Sequence, residues 1–401
     1  MVLYTLVTQN KKTLLVLTAI MLVNALSYGT IIPLLYPYAS RFGLSPFGLS
    51  VLFTSYSLFQ FLATPVIGRL SDRYGRRPLL LISIFGTSLS LALFAAANSL
   101  PLLFLARILD GVTGGNMSVA QAVVADTTTG KERAKSFGML GASFGFGFLI
   151  GPALGGFLSS YSMAMPFWFA SGLALVASIL TALFLPETIK PSDAKVQKSE
   201  PLFDFGHLFK ALFTPVLGTL FVFTLLTTLA TNMFFIGFQT FTVDVLLLTP
   251  ARIGLLFTFA GVINVIMQAG GIGFLLKHFP SKRKIMLVAA PIAAAALFSL
   301  AFMESYWLFS GVMLLFMAAQ SPFMPLASGV ISERTASEDQ GVVLGINQSY
   351  MSIGQIVGPL VAGVIGSQSV PLIFVGGAVV LLVAWYSIST LKPKGVQAFD
   401  L

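Results

Sequence analysis

Apolar runs of about 20 residues recur along nearly all of this 401-residue chain. Each is long enough to cross the hydrocarbon core of a bilayer as a helix. Inside lipid a spanning segment must satisfy its own backbone N–H and C=O groups, so only helices and closed barrels are possible. The runs lack the two-residue alternation of barrel strands. They are therefore expected to be helices, and the chain an all-α membrane protein. Composition agrees: 9% of residues are charged and the mean hydropathy is +0.91, against about 25% charged in a soluble protein. Twelve spans are expected, near 13–38, 47–68, 78–98, 101–125, 135–160, 165–186, 211–243, 250–275, 284–303, 306–331, 341–367 and 370–391.

The net charge of +9 is a topology signal rather than a nucleic-acid footprint. With the N-terminus placed in the cytoplasm, 20 of the 23 Lys and Arg residues fall in segments on that side, leaving only Arg41, Arg107 and Arg252. The positive-inside rule then puts both termini in the cytoplasm of a multi-pass protein, expected in a bacterial inner membrane. The opening MVLYTLVTQNKK has no signal-peptide layout, so the first run is expected to be a retained span. The chain has no cysteine, and its two histidines, His207 and His278, stand far apart. No metal site and no cofactor are expected. No nucleophile–base set and no GxxxxGK[ST] stretch points to an enzyme or a nucleotide-driven pump.

The longest polar interruption, Pro186 to Lys210, separates two groups of six spans. The expected organisation is a first bundle at 1–190, a linker at 191–210 and a second bundle at 211–401. The halves repeat. Gly138, Gly147, Gly151, Pro152 and Gly156 lie at a constant offset of 207 from Gly345, Gly354, Gly358, Pro359 and Gly363, and Asp126 lies at that offset from Glu333. IGRLSDRYGRR matches IGFLLKHFPSK from Ile67 and Ile272. Duplicated six-span halves suggest a transporter with its site between them near the midplane.

Three segments carry polar chemistry. GRLSDRYGRR, Gly68 to Arg77, joins spans two and three. Gly68 is expected to let another backbone come close. Asp72 is expected to meet the positive end of a helix, with Arg73, Arg76 and Arg77 in water or near anionic headgroups. In span five, Gly147, Gly151 and Gly155 share one face at i, i+4 and i+8, a surface for close helix contact, and Pro152 allows a bend. In span four, Arg107, Asp110, Gly114, Ser118 and Gln121 fall within about 80° of one helical face. Asp110 lies roughly 13 Å into that helix. A carboxylate at this depth must be paired or take up a proton, which is the property proton coupling needs. The plainer alternative is a permanent Arg107–Asp110 ion pair that holds the span in register.

GRLSDRYGRRPLL, ARILDGVTGG, the span-five set Gly147, Gly151, Pro152, Gly155 and Gly156, and LPET at Leu185 to Thr188 together resemble the major facilitator superfamily. The likeness is strongest to its twelve-span drug:proton antiporter branch, which includes tetracycline efflux proteins. The resemblance implies two pseudo-symmetric six-helix bundles, a span four that lines a central cavity, and an antiporter motif in span five. That branch carries an acid in span one; this chain has Asn24 there, which leaves Asp110 as the central carboxylate.

The resemblance implies a secondary transporter working by alternating access: a proton-coupled exporter of lipophilic drugs or small metabolites. The alternative is a uniporter or proton symporter for a sugar, lipid or small organic solute. Arg107 and Asp110 are assigned to proton coupling. Gly68, Asp72, Arg73, Arg76, Arg77, Asp126 and Glu333 are assigned to conformational gating, with Asp126 and Glu333 pairing with Arg76, Arg77 or Arg133. The substrate cavity is assigned to Asn24, Tyr28, Ser118, Gln121, Asn232, Gln239, Gln320, Asn347, Gln348 and Gln355. The expected partners are a small-molecule substrate, protons and membrane lipids, with no nucleic acid, and the chain is expected to act as a monomer.

Overall fold

The computed structural model describes residues 2–189, 205–279, 281–336 and 339–390. Positions 191–204 of the expected linker lie outside them, as do Lys190, Lys195, Lys198, Lys392 and Lys394 of the basic count. Among the described residues the chain is all-helical. Its helices are α1 (Val2–Ile31), α2 (Leu35–Ala39), α3 (Pro46–Tyr74), α4 (Arg76–Ala95), α5 (Leu100–Thr113), α6 (Asn116–Thr127), α7 (Gly130–Leu158), α8 (Met165–Phe184), α9 (Phe205–Leu212), α10 (Leu217–Asp244), α11 (Pro250–Ile266), α12 (Ile272–His278), α13 (Lys282–Leu300), α14 (Tyr306–Gln320), α15 (Phe323–Arg334), α16 (Gln340–Gly366) and α17 (Pro371–Ser389). A π-turn at Met267–Gly271 joins α11 to α12.

Eleven helical segments among the described residues are long and apolar enough to cross a membrane. The expected span 101–125 is not one of them. It divides into α5 and α6 because Gly114 and Gly115 interrupt it. Two consecutive residues without a Cβ lose the conformational restriction that keeps a chain helical. The expected span 306–331 also divides, into α14 and α15, at Ser321 and Pro322. Proline has no N–H to continue the ladder, and the Ser321 hydroxyl donates to the Ala318 carbonyl, at 3.1 Å, which that N–H would have reached. The two interruptions are separated by 207 residues (321 − 114 and 322 − 115), the spacing of the internal repeat.

The helices form two compact units. The first holds Met1–Leu44, Ser55–Leu202 and Thr249–Gly261; the second holds Ser45–Thr54, Phe203–Leu248 and Val262–Leu401. Within the first, α1 packs on α7 and α8, and α4 packs on α5 and α8. Its apolar centre joins Leu17, Ile20 and Met21 to Leu80, Ile84, Val123 and Val124. Lipid is as apolar as these side chains, so close packing and interhelical hydrogen bonds carry the association. Ser88 and Ser171 illustrate the second: each hydroxyl donates to the other's carbonyl, at 2.9 and 2.8 Å. Within the second unit, α10 packs on α16 and α17, and α13 packs on α14 and α17. Its centre is aromatic, with the Phe234 ring 4.7 Å from Phe316 and Phe241 stacked 5.4 Å from Phe309.

Candidate functional site

The polar centre of the first unit is built around the last two turns of α5. Arg107 donates to Asp110 Oδ2 at 3.0 Å, one turn away, and both residues are 2% exposed. Thr87 of α4 lies beside the carboxylate. The guanidinium carbon lies 4.3 Å from the centre of the Tyr56 ring on α3, in cation–π contact. The Tyr56 hydroxyl accepts from Gln60 Nε2 at 2.8 Å, and its ring centre lies 6.0 Å from that of Tyr28 on α1. Close approach of α5 to α3 depends on Gly111, where a Cβ would sit 2.7 Å from the Tyr56 carbonyl oxygen. Arg107 Nε finds no hydrogen-bond partner among the described residues.

The helix interruption lies directly beyond this pair. Gln60 Nε2 reaches the Gly114 carbonyl at 3.2 Å, and Ser83 Oγ accepts from the Gly115 N–H at 3.1 Å while donating to the Thr113 carbonyl. Side chains of α3 and α4 thus hold backbone groups that a continuous helix would satisfy itself. This corrects the expected polar stripe. Arg107 and Asp110 share a face of α5, but Gly114 lies in the interruption and Ser118 and Gln121 belong to α6. Ser118 donates locally to the Gly115 carbonyl at 2.9 Å, and Gln121 is exposed.

At the far end of α6, Asp126 Oδ2 lies 2.9 Å from Arg76 Nε, the first residue of α4. Arg76 also pairs with Asp72 at 2.5 Å and donates to Ser71 at 2.6 Å. It is only 8% exposed, so it does not stay in water as expected. Asp72 was expected at a helix end, and Glu187 holds that place instead. Glu187 accepts from the Arg76 and Arg77 backbone N–H groups at 2.8 and 3.2 Å, the first turn of α4. Arg77 itself donates to the Ala182 carbonyl, and Arg73 lies over Tyr74 at 5.2 Å. Sequence reasoning gave Glu187 no role. The only signal was its place in LPET.

Glu333 was expected to pair with Arg76, Arg77 or Arg133. It pairs with Lys282 at 2.6 Å, within the second unit. Arg133 instead donates to the Ala125 and Thr128 carbonyls, both at 2.9 Å. The correction has a regular form. In each unit an acid one residue from the end of the interrupted span meets the first residue of the helix beside it, Arg76 of α4 or Lys282 of α13. The close approach expected at Gly68 is also absent: a Cβ there would meet nothing within 4 Å among the described residues.

The span-five glycines do sit against backbone. A Cβ on Gly151 would lie 2.6 Å from the Gly29 carbonyl carbon, and Cβ atoms on Gly147 and Gly155 would strike Ala25 and Thr30 of α1. The opposite side of α7 meets α11, where Gly156 approaches Ala251 and the Pro152 carbonyl approaches Gly254. In the second unit Gly354 and Gly358 sit equally close to α10, at the Leu225 and Leu229 carbonyls.

The remaining cavity candidates differ in burial and in their hydrogen bonds. Asn24 and Asn347 are buried, and their Oδ1 atoms have no hydrogen-bond partner among the described residues. Asn232 donates to its own helix, at Thr228. Gln320 accepts from Thr231 at 3.0 Å, at the second interruption. Gln239 is fully buried, Gln355 half-buried and Gln348 exposed.

Comparison with known proteins agrees with this architecture. The model of the Major Facilitator Superfamily matches residues 17–302 and 220–398. The class H tetracycline resistance protein of Pasteurella multocida is 31% identical over 402 residues, spanning 96% of this chain and 98% of that protein. The quinolone resistance protein NorA of Staphylococcus aureus (strain MSSA476) is 28% identical, over 84% of this chain and 86% of its own. Among solved structures, the nucleoside transporter NupG superposes with a TM-score of 0.77 at 15% identity, covering 95% of this chain and 100% of that one. The human organic anion transporter MFSD10 gives 0.69 at 22%, covering 94% and 99%. At those identities the structures speak for the fold alone. With a family model along most of its length and a tetracycline resistance relative along nearly all of it, this multi-pass membrane protein belongs to the Major Facilitator Superfamily of transporters.

Proposed function

We propose that the protein is a proton-coupled exporter of lipophilic drugs or small metabolites, and that Asp110 is the carboxylate that carries the proton. The observation that carries this reading is the fully buried Arg107–Asp110 pair at the interruption of a membrane span. Ionisable groups inside a membrane are expensive and mark ion or substrate pathways. A proton on Asp110 turns the ion pair into a hydrogen bond between a neutral carboxylic acid and the still-charged Arg107, whose guanidinium stays on the Tyr56 ring. Tetracycline and quinolone resistance proteins among the relatives support a drug-like substrate. With so few central charges, a neutral or lipophilic cationic molecule suits the site better than a highly charged anion.

In this reading the halves 1–190 and 211–401 rock about the site in alternating access. Both termini are cytoplasmic and the membrane is a bacterial inner membrane. Gly68, Asp72, Arg73, Arg76, Arg77, Asp126 and Glu333 govern the exchange of states at the inner ends. Asn24, Tyr28, Asn232, Gln320 and Asn347 contribute polar contacts to the cavity. The chain works as a monomer.

The test is proton movement in inside-out vesicles. A proton gradient is imposed, and lipophilic cations, tetracyclines, quinolones, sugars and lysolipids are added in turn while a pH-sensitive dye is followed. Dissipation by a drug class, lost in Asp110→Asn, supports the proposal. Silence across the panel with folded protein in the membrane favours the uniporter or symporter alternative.

A further inference from the structure

The charge pair and the interruption are held by the same two helices, in the same way. On α3, Tyr56 lies under Arg107, and Gln60, one turn on, reaches the Gly114 carbonyl. On α4, Thr87 lies beside Asp110, and Ser83, one turn back, holds Thr113 and Gly115. Residues four apart on a helix lie on one face. Each flanking helix therefore touches the charge with one side chain and the broken backbone with its neighbour. Gln60 closes the circuit, because its amide nitrogen serves the Tyr56 hydroxyl and the Gly114 carbonyl together, at 2.8 and 3.2 Å.

We propose that Gln60 and Ser83 are positioning residues for exchange: they transmit the charge state of Asp110 to the Gly114–Gly115 interruption, and so to the direction of α6. This rests on the reading of Asp110 as the proton carrier. When the carboxylate gains a proton, the guanidinium loses its counter-charge and shifts on the Tyr56 ring. The Tyr56 hydroxyl moves with the ring, and Gln60 carries that displacement to Gly114. Gly114 and Gly115 have no side chain to resist a change of backbone angle. The charged and titratable groups facing Asp110 are Arg107 on its own helix and Tyr56 on α3, the latter backed by Tyr28 of α1. Among the described residues of α4, the uncharged Thr87 lies beside it.

The experiment uses the absence of cysteine from the chain. Leu105 of α5 and Gln121 of α6 are both exposed and lie on either side of the Gly114–Gly115 interruption. A Leu105→Cys, Gln121→Cys variant is spin-labelled in liposomes, and the distance between labels is recorded from pH 5 to pH 9. The expected result is a distance that follows pH, does not follow it in Asp110→Asn, and no longer follows it in Gln60→Met. Methionine keeps the bulk of Gln60 without its donors. In Gln60→Met the maximal exchange rate falls by about tenfold, the worth of one hydrogen bond, while KM for substrate holds within about twofold. Ser83→Ala gives a second, independently folding arm with the same expected loss. A pH response that survives in both Gln60→Met and Ser83→Ala overturns the positioning role and leaves Asp110 as proton carrier. A response that survives in Asp110→Asn overturns the proton reading and the positioning role together.

Discussion

Gly75 lies directly beneath the Glu187 carboxylate, at φ +106° and ψ 152°. Only glycine adopts that backbone region readily, and a Cβ there would strike the carboxylate. The same residue turns the chain from α3 into α4 and clears room for the group that caps α4.

Gly75→Ala is therefore expected to cost at least about 2 kcal/mol, from backbone strain together with displacement of Glu187. Glu187→Ala should cost about 1–2 kcal/mol by leaving two helix N–H groups without their acceptor. Glu187→Gln should cost less than Glu187→Ala, because an amide oxygen still accepts but brings no charge to the helix end. Unfolding midpoints in detergent, followed by tryptophan fluorescence, check the order.

The repeated inner-end pairs should respond unequally. Arg76 is 8% exposed and Asp126 shields it. Asp126→Ala removes one of the two carboxylates on the buried guanidinium and leaves Asp72, so it is expected to cost about 1.5–3 kcal/mol, short of the about 3–5 of a buried charge left with no partner. The Glu333 side chain is 61% exposed, so Glu333→Ala should cost no more than about 1 kcal/mol. Equal losses in the two variants would refute this account of burial.

The central pair separates stability from transport. Arg107→Ala leaves a buried carboxylate alone and is expected to destabilise by about 3–5 kcal/mol unless Asp110 takes a proton. Replacing both residues by leucine should recover most of that loss, because an apolar pair needs no counter-charge. Exchange should stay absent in the double variant. Recovered stability together with recovered exchange would show that neither charge takes part in transport.

Glycine positions divide by what surrounds them. Gly151→Ala places a Cβ 2.6 Å from a backbone atom of Gly29, so α1 and α7 must separate and the unfolding midpoint should fall. Gly68→Ala meets nothing within 4 Å and lies inside α3, where alanine favours the helix by about 0.5–1 kcal/mol. Its midpoint should hold or rise. If Gly68→Ala nevertheless slows transport, the effect must arise in a different conformation, as a gating role requires.

What could be read in the sequence was local or periodic. Long apolar runs predicted helices, three-residue spacing predicted that Arg107 and Asp110 meet, and the duplicated glycines predicted close helix faces. What could not be read was of two kinds. Glu187 caps α4 from 111 positions away, and no period connects it to that helix. Tyr56, Gln60, Ser83 and Thr87 reach α5 from other helices, where their own sequence shows only isolated polar residues. The interruption at Gly114–Gly115 was visible as two glycines but was counted into a continuous stripe, because helical spacing runs through glycine as through any residue. Glu333 was assigned to the arginines of the other half, although Lys282 lay nearer in the chain and inside its own unit.

The two interruptions share a position in the repeat but not a chemistry. One comes from a pair of residues without side chains, the other from a ring that removes a donor. What the duplication has kept here is a shape, and the residues that produce it have drifted apart. A comparison scored on side chains would treat Gly-Gly and Ser-Pro as unrelated. Yet a chimera carrying Ser-Pro at 114–115 should still break its helix in place, and the heritable unit at this point is the bend itself.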